Sequence, residues 1–375
     1  MPHSRVWLPM PQARRAGFLF AMIVCTMLTP MSRAASLPPT VRTAPDASIH
    51  RAEITKFIKA QIAQLTNPAP PTQSGARDAI VGETLPGGGV TPSASFLDIY
   101  SEILNDELVP LAGNPELRVR LGAAIVAARV AERASASSQL QRAVMAFMND
   151  KNEAVVLWGL KGARFIMKPV LNNPASPQLI PVVLKTGTRF LTGPVTQASY
   201  DALNVDPATI PASATAAAIG ATQDLLAARV AEYADSIPAD PIVDTQATLN
   251  LTAARWFNPQ TAPQRLRTAQ LLSDLSGSAA AKIPQAEPEE RKTLAIMIKR
   301  VASAVSAMGI LLNNTKLQDD VKEARAISEN MSADDIVNRA KTIYPALHSV
   351  YGGLTPPPMI EASATPSTTN SASQR

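Results

Sequence analysis

The sequence predicts an all-α protein, and three observations carry that reading. Apolar residues recur at helical spacing along most of the chain, sustained period-two alternation is absent, and proline and glycine punctuate the helical runs. Composition agrees: 46% of residues are hydrophobic and only 4% aromatic. Such a core is made of Ala, Leu, Val, Ile and Met, a set that suits closely packed helices.

The first segment stands apart from that body. Arg5, Arg14 and Arg15 precede an apolar run from Ala16 to Leu28, and Pro30 ends it. Ser32-Arg33-Ala34 then offers small residues at the two positions a signal peptidase inspects. Residues 1–34 are therefore expected to be a secretory signal peptide cut after Ala34, with the protein exported to a periplasmic or extracellular location. The rival is an uncleaved anchor, but the run falls short of the ~20 apolar residues that cross ~30 Å of hydrocarbon. Cys25 lies inside the run without lipobox residues before it, so it is not read as a lipidation site.

Loss of that segment changes the charge. The net charge of +5 includes four leader arginines, Arg5, Arg14, Arg15 and Arg33, and no leader acid, so the remainder carries +1. A nearly neutral body has no bulk electrostatic reason to seek nucleic acid or anionic lipid. Cys25 is the sole cysteine, so the exported part has no disulfide, thiolate nucleophile or cysteine-ligated metal. Its core must hold it together, and roughly 340 residues are ample for that.

The elements follow in order. Asp46 or Ser48 caps a helix with Ile54, Ile58, Ile62 and Leu65 on one face, which Asn67-Pro68 stops. Pro70-Pro71 and Gly87-Gly88-Gly89 mark Pro68–Pro92 as a flexible linker; the glycines lack the lysine and preceding strand of a phosphate-binding loop. Residues 35–92 thus read as an N-terminal helix and linker, and 93–355 as a helical repeat-like domain. The tail, 356–375, is rich in Pro, Ser, Thr and Ala and is expected to be disordered. Within the domain, helices are expected at Ser95–Val109, Pro115–Arg133, Ser138–Met148 and Glu153–Lys168. Further ones are expected at Pro177–Leu191, Val195–Leu203, Ala212–Ser236, Pro241–Phe257 and Pro263–Leu275. Pro288–Leu312, Lys316–Ser328 and Ala333–Tyr351 complete the series, the last bent at Pro345. Lys299 and Arg300 in the middle of the longest argue for a buried soluble helix over a membrane span.

Two of these segments echo one another. Glu116, Val119 and Gly122 correspond to Glu153, Val156 and Gly159, each 37 positions later. Two helices per unit at that period is the signature of an α-solenoid, in which each pair buries its bare face on the next. Gly122 and Gly159 would permit close helix contact. The run Asn114-Pro115-Glu116-Leu117-Arg118-Val119-Arg120-Leu121-Gly122 resembles the turn and second helix of a HEAT repeat. In the next unit Asp150 sits one place out of register and Leu157 stands where that family carries arginine. The resemblance covers residues 114–170 and implies an α-α superhelix, HEAT- or armadillo-like, with an interaction role, and it points to no catalytic residue. A second echo, Ala-Ala-Arg-Val-Ala-Glu at Ala127–Glu132 and Ala227–Glu232, is read as chance in an Ala-rich chain before it is read as a duplication.

Chemistry is sparse. His50 and His348 lie at opposite ends of the exported part, one read as a surface residue and one as half-buried packing, with no metal-like spacing around either. Asp319-Asp320 and Asp334-Asp335 are adjacent on helices and so diverge by about 100°; Asp334 and Asp335 follow Ser332 at a helix start, where negative charge is favoured. Catalytic, cofactor and metal residues are therefore expected to be absent, and Trp158 and Trp256 are read as core anchors.

Basic residues remain. Arg118, Arg129, Lys161 and Arg164 fall on the second helices of the two echoing units, which in a solenoid line the inner curve. They are either a solvated edge or a basic strip that captures an acidic peptide or polymer of the cell envelope. The expected function is a non-enzymatic exported scaffold or protein-binding module. The alternative is a helical domain that encloses an apolar ligand such as a lipid, with Met297, Met308 and Met331 lining the cavity. An enzyme of unrecognised type is the third possibility.

Overall fold

The pattern of apolar residues folds into helices throughout the computed structural model, which describes residues 36–358 except 88–89, 135–136 and 174–177. The expected signal peptide, Gly88-Gly89 and the tail beyond Pro358 lie outside the described residues. After one turn, α1 (Pro39–Arg42), the chain runs as consecutive pairs: α2 (Arg51–Leu65) with α3 (Pro70–Gly82), α4 (Ala94–Leu108) with α5 (Leu117–Arg133), and α6 (Gln141–Met148) with α7 (Glu153–Leu171). Next come α8 (Leu179–Arg189) with α9 (Gly193–Leu203), α10 (Ala212–Glu232) with α11 (Asp244–Thr252), and the single turn α12 (Ala254–Phe257). The last long pair is α13 (Ala262–Lys282) with α14 (Pro288–Leu311). Four short helices close the chain: α15 (Thr315–Asp320), α16 (Lys322–Arg325), α17 (Ala333–Ala340) and α18 (Ile343–Tyr351). No strand occurs among the described residues; Gly87 and Val90 make an isolated bridge.

Helix neighbours fall into two rows. First members α2, α4, α6, α8, α10 and α13 each pack on the next in that series, and second members α3, α5, α7, α9, α11 and α14 do the same. Each pair also packs internally, while α17 and α18 cover α13, and α15 and α16 cover α14. A helix in such an arrangement meets protein on several sides, which explains why α7 is apolar nearly all round. At Gly159 α7 comes close to its partner: a Cβ there would stand 2.8 Å from the Met148 backbone nitrogen. At Gly122 the nearest atom is the Leu65 side-chain tip at 3.2 Å, a looser contact.

Several expectations about helix limits need correction. The expected linker after Pro68 contains α3, because Pro70 at a helix start brings a suitable φ and lacks only an N–H that the first turn leaves unused. Gln73, Ala76 and Ile80 bury its inner face, and Gln73 Nε2 donates to the Asn67 carbonyl at 2.8 Å. The expected helix to Phe257 breaks at Ala253, whose extended backbone (φ −65°, ψ 139°) starts a separate turn that buries Trp256 and Phe257. The final helix divides near Lys341-Thr342, before Pro345, which sits in the first turn of α18 where its missing N–H costs little. Pro357, placed by composition in the tail, is buried.

α14 is long and apolar enough to cross a bilayer, yet 61% of its most apolar window is buried within the protein. Leu294, Met297, Val301, Val305 and Met308 form the buried face, and Lys299 and Arg300 are exposed.

Candidate functional site

The second-row helices α5, α7 and α9 lie side by side, and a groove of about 410 Å³ crosses them. Helical geometry sets what α7 shows to it. Val155, Val156, Gly159, Leu160 and Gly162 are buried against neighbouring helices. Trp158, Lys161 and Phe165 fall at i, i+3 and i+7, one strip of the opposite side. Trp158 and Phe165 are consequently half-buried and line the groove, with Arg129 entering from α5 and Asp201 from α9. Ala128 and Ala198 keep its floor open.

Three cations gather on this aromatic floor. Lys161 Nζ lies 4.5 Å and Arg129 Cζ 5.5 Å from the Trp158 ring centroid, and Arg164 Cζ lies 5.8 Å from that of Phe165. A positive charge over an aromatic face is held by the ring quadrupole, which limits its wandering. Two of the three are partly neutralised: Arg129 Nη1 is 3.3 Å from Glu132 Oε2, and Arg164 Nη1 is 3.7 Å from Asp201 Oδ2. Among the described residues Lys161 has no carboxylate at ion-pair distance. Such a site has an apolar floor and a rim with one uncompensated positive charge.

Of the four basic residues singled out in the sequence, Arg129, Lys161 and Arg164 therefore meet, and Arg118 does not. Arg118 precedes Arg129 by eleven residues. That spacing keeps both on one helix face but separates them by about 16 Å along the axis. Arg118 borders a different depression, beside Pro68, Gln73 and Leu117. Trp158 and Phe165 were hidden in the sequence: in a helix apolar nearly all round, periodicity does not mark which face stays uncovered. The signal available was the Trp158-Lys161 spacing.

The duplicated hexapeptide meets two fates. Arg129 is exposed in the groove, whereas Arg229 is fully buried. Arg229 Nε donates to Asp244 Oδ1 at 3.0 Å, Nη1 to the Leu191 carbonyl at 2.7 Å and Nη2 to the Ala239 carbonyl at 3.0 Å. Tyr200 Oη donates to the same Asp244 oxygen at 3.4 Å. Burial pushes the Asp244 carboxyl up while Arg229 pulls it down. With its donors matched and both Arg229 and Asp244 fully buried, this network is structural.

Other candidates separate. His50 Nδ1 lies 3.8 Å from Glu53, while His348 is exposed beside Tyr344, a correction to its half-buried reading. Ser332 Oγ accepts from the Asp335 N–H at 3.1 Å, so Asp334 and Asp335 open α17 as helix-start acids. Among the described residues no three His, Cys, Asp or Glu side chains are grouped so as to hold a metal ion. Trp256 is buried as a core anchor, whereas Trp158 is only half so. No protein-family pattern matches the chain, and no curated protein is significantly similar to it.

Proposed function

We propose that the chain is an exported helical-repeat binding module whose groove across α5, α7 and α9 captures an acidic segment of a partner protein. One observation carries this reading: Arg129, Lys161 and Arg164 converge on Trp158 and Phe165, and Lys161 has no acid to neutralise it among the described residues. Carboxylates of an extended peptide would meet the cations while its apolar side chains cover the floor, a combination that excludes water and strengthens the charge pairing. The two helix rows support a HEAT-like superhelical stack, because each pair uses the next to cover its face. Export is supported by the composition of residues 1–34: a basic start, an apolar run and small residues before the expected cut after Ala34.

Reversing Arg129→Glu and Arg164→Glu tests the reading. The double variant places acids beside Glu132 and Asp201 and should bind a labelled hexaglutamate peptide at least about tenfold more weakly, with little change in Tm because exposed ion pairs contribute little to stability. Equal binding by both proteins rejects the groove as the site.

A second reading, an apolar ligand, is favoured by a different feature. A groove of about 710 Å³ between α8 and α10 is lined by Ile180, Leu184, Ala214, Ala217 and Ala221. Displacement of a bound fluorescent fatty acid by Ala217→Trp would support it.

A further inference from the structure

The end of the described chain is held by α13 in the way a receptor holds a peptide. Gly352 and Gly353 both have positive φ, 57° and 56°, a conformation that L side chains rarely adopt, and they turn the chain out of α18. Beyond them Leu354 and Pro357 are buried, while Thr355, Pro356 and Pro358 are exposed. Burial every third residue is the period of a polyproline II helix, in which one face repeats at i and i+3.

α13 answers this face with Gln270, Asp274 and Gly277, at i, i+4 and i+7. The Gln270 side-chain amide makes both bonds that a neighbouring strand would make: its Oε1 accepts the Thr355 N–H at 2.9 Å, and its Nε2 donates to the Thr355 carbonyl at 3.0 Å. Nε2 also donates to Asp274 Oδ1 at 2.7 Å, which fixes the amide's orientation. Tyr344 Oη donates to the Leu354 carbonyl at 3.2 Å. Pro357 fills the gap over Gly277; a Cβ there would stand 2.4 Å from Pro357 Cβ, and its three nearest atoms all belong to that proline. Backbone pairing by a side-chain amide, together with one shape-matched proline seat, is a means of reading an extended segment.

We infer that the Gln270–Gly277 face of α13 is a recognition site for an extended Leu-x-x-Pro peptide, filled at rest by residues 354–357 of the same chain. The same segment offered on a separate molecule competes for it. The site is independent of the groove across α5, α7 and α9.

The test uses the full chain and a labelled peptide of sequence Gly-Gly-Leu-Thr-Pro-Pro-Pro, that of residues 352–358. A Leu354→Asp/Pro357→Asp variant empties the seat without touching α13. It should bind the peptide at least about tenfold tighter than the wild type, whose own segment fills the site and lowers the competent fraction. Adding Gly277→Ala should abolish that binding. In an otherwise wild-type chain, Gly277→Ala should speed amide exchange at Thr355 by about tenfold or more. The proposal is overturned if the emptied variant melts cooperatively yet ignores the peptide, or if Thr355 exchange is unmoved by Gly277→Ala. It is equally overturned if the emptied variant no longer melts cooperatively, since the segment is then part of the core.

Discussion

Arg120 in α5 donates from Nε to Asp150 Oδ2 at 2.7 Å, and side-chain exposures of 8% and 3% put both partners out of water. The same guanidinium donates from Nη1 to the Asn114 and Pro115 carbonyls at 2.8 and 3.1 Å. Asp150 Oδ1 in turn accepts the Asn152 N–H at 2.7 Å. One ion pair thus ties the turn that opens α5 to the turn that opens α7, fixing the relation of successive pairs and with it the spacing of Arg129 and Trp158.

Asp150→Ala should therefore be costly. It leaves a buried guanidinium with carbonyl partners alone, and breaking such a pair from one side costs about 3–5 kcal/mol. Replacing both partners with apolar residues, Arg120→Met and Asp150→Leu, should recover much of the loss. Urea unfolding of the two variants is the measurement. A single variant within about 1 kcal/mol of the parent would show that the tie contributes little.

Two glycines make opposite predictions. Gly159→Ala drives a methyl to within 2.8 Å of the Met148 backbone, so α6 and α7 must separate. Overpacking of that kind costs about 1–3 kcal/mol. Gly220 lies inside α10, and a Cβ there would have no neighbour within 4 Å. Gly220→Ala should then raise stability by up to about 1 kcal/mol through helix propensity and a less flexible unfolded chain. Thermal melts of the two variants should shift in opposite directions.

A pH dependence follows from Asp274. Burial raises its carboxyl above the ordinary aspartate value, and the hydrogen bond from Gln270 offsets only part of this. Between the unfolded value, about 4, and the raised folded value, the native state binds more protons than the unfolded one. Stability from this group is therefore highest below about pH 4 and falls as pH rises through that window. Asp274→Asn keeps a carbonyl to accept from Gln270 and removes the titration. Its stability relative to the parent should rise with pH from about 4 upward and then level off. A flat difference in urea midpoints across that range would refute the assignment.

Much of this architecture was legible because apolar periodicity reports burial directly. Ile54, Ile58, Ile62 and Leu65 mark the inner face of α2, and all are buried. The failures have local causes. Pro70-Pro71 reads as a break until the context shows them opening a helix, and nothing in the residues around Ala253 announces an extended kink. At the groove, charge was legible and exposure was not. Arg129 and Arg229 sit in identical hexapeptides, and only tertiary packing decides that one faces solvent and the other is closed in beside Asp244.

Trp158 supplies the last prediction, since it is both floor and reporter of the groove. The chain has three tryptophans, Trp7, Trp158 and Trp256, so a protein starting at Ala35 and carrying Trp256→Phe emits from Trp158 alone. Its ring is half-buried and lies 4.5 Å from Lys161 Nζ. Hexaglutamate binding should change that emission, and raising salt should weaken the binding, because the attraction acts between exposed charges that ions screen. Lys161→Met retains much of the apolar stem and removes the charge that no acid balances. It should weaken binding by roughly 1 kcal/mol, about fivefold, and reduce the salt dependence, while leaving the melt unchanged because the side chain is exposed. Emission that ignores saturating peptide, or a Lys161→Met protein that binds as tightly as its parent, would reject the groove as a site for acidic peptides.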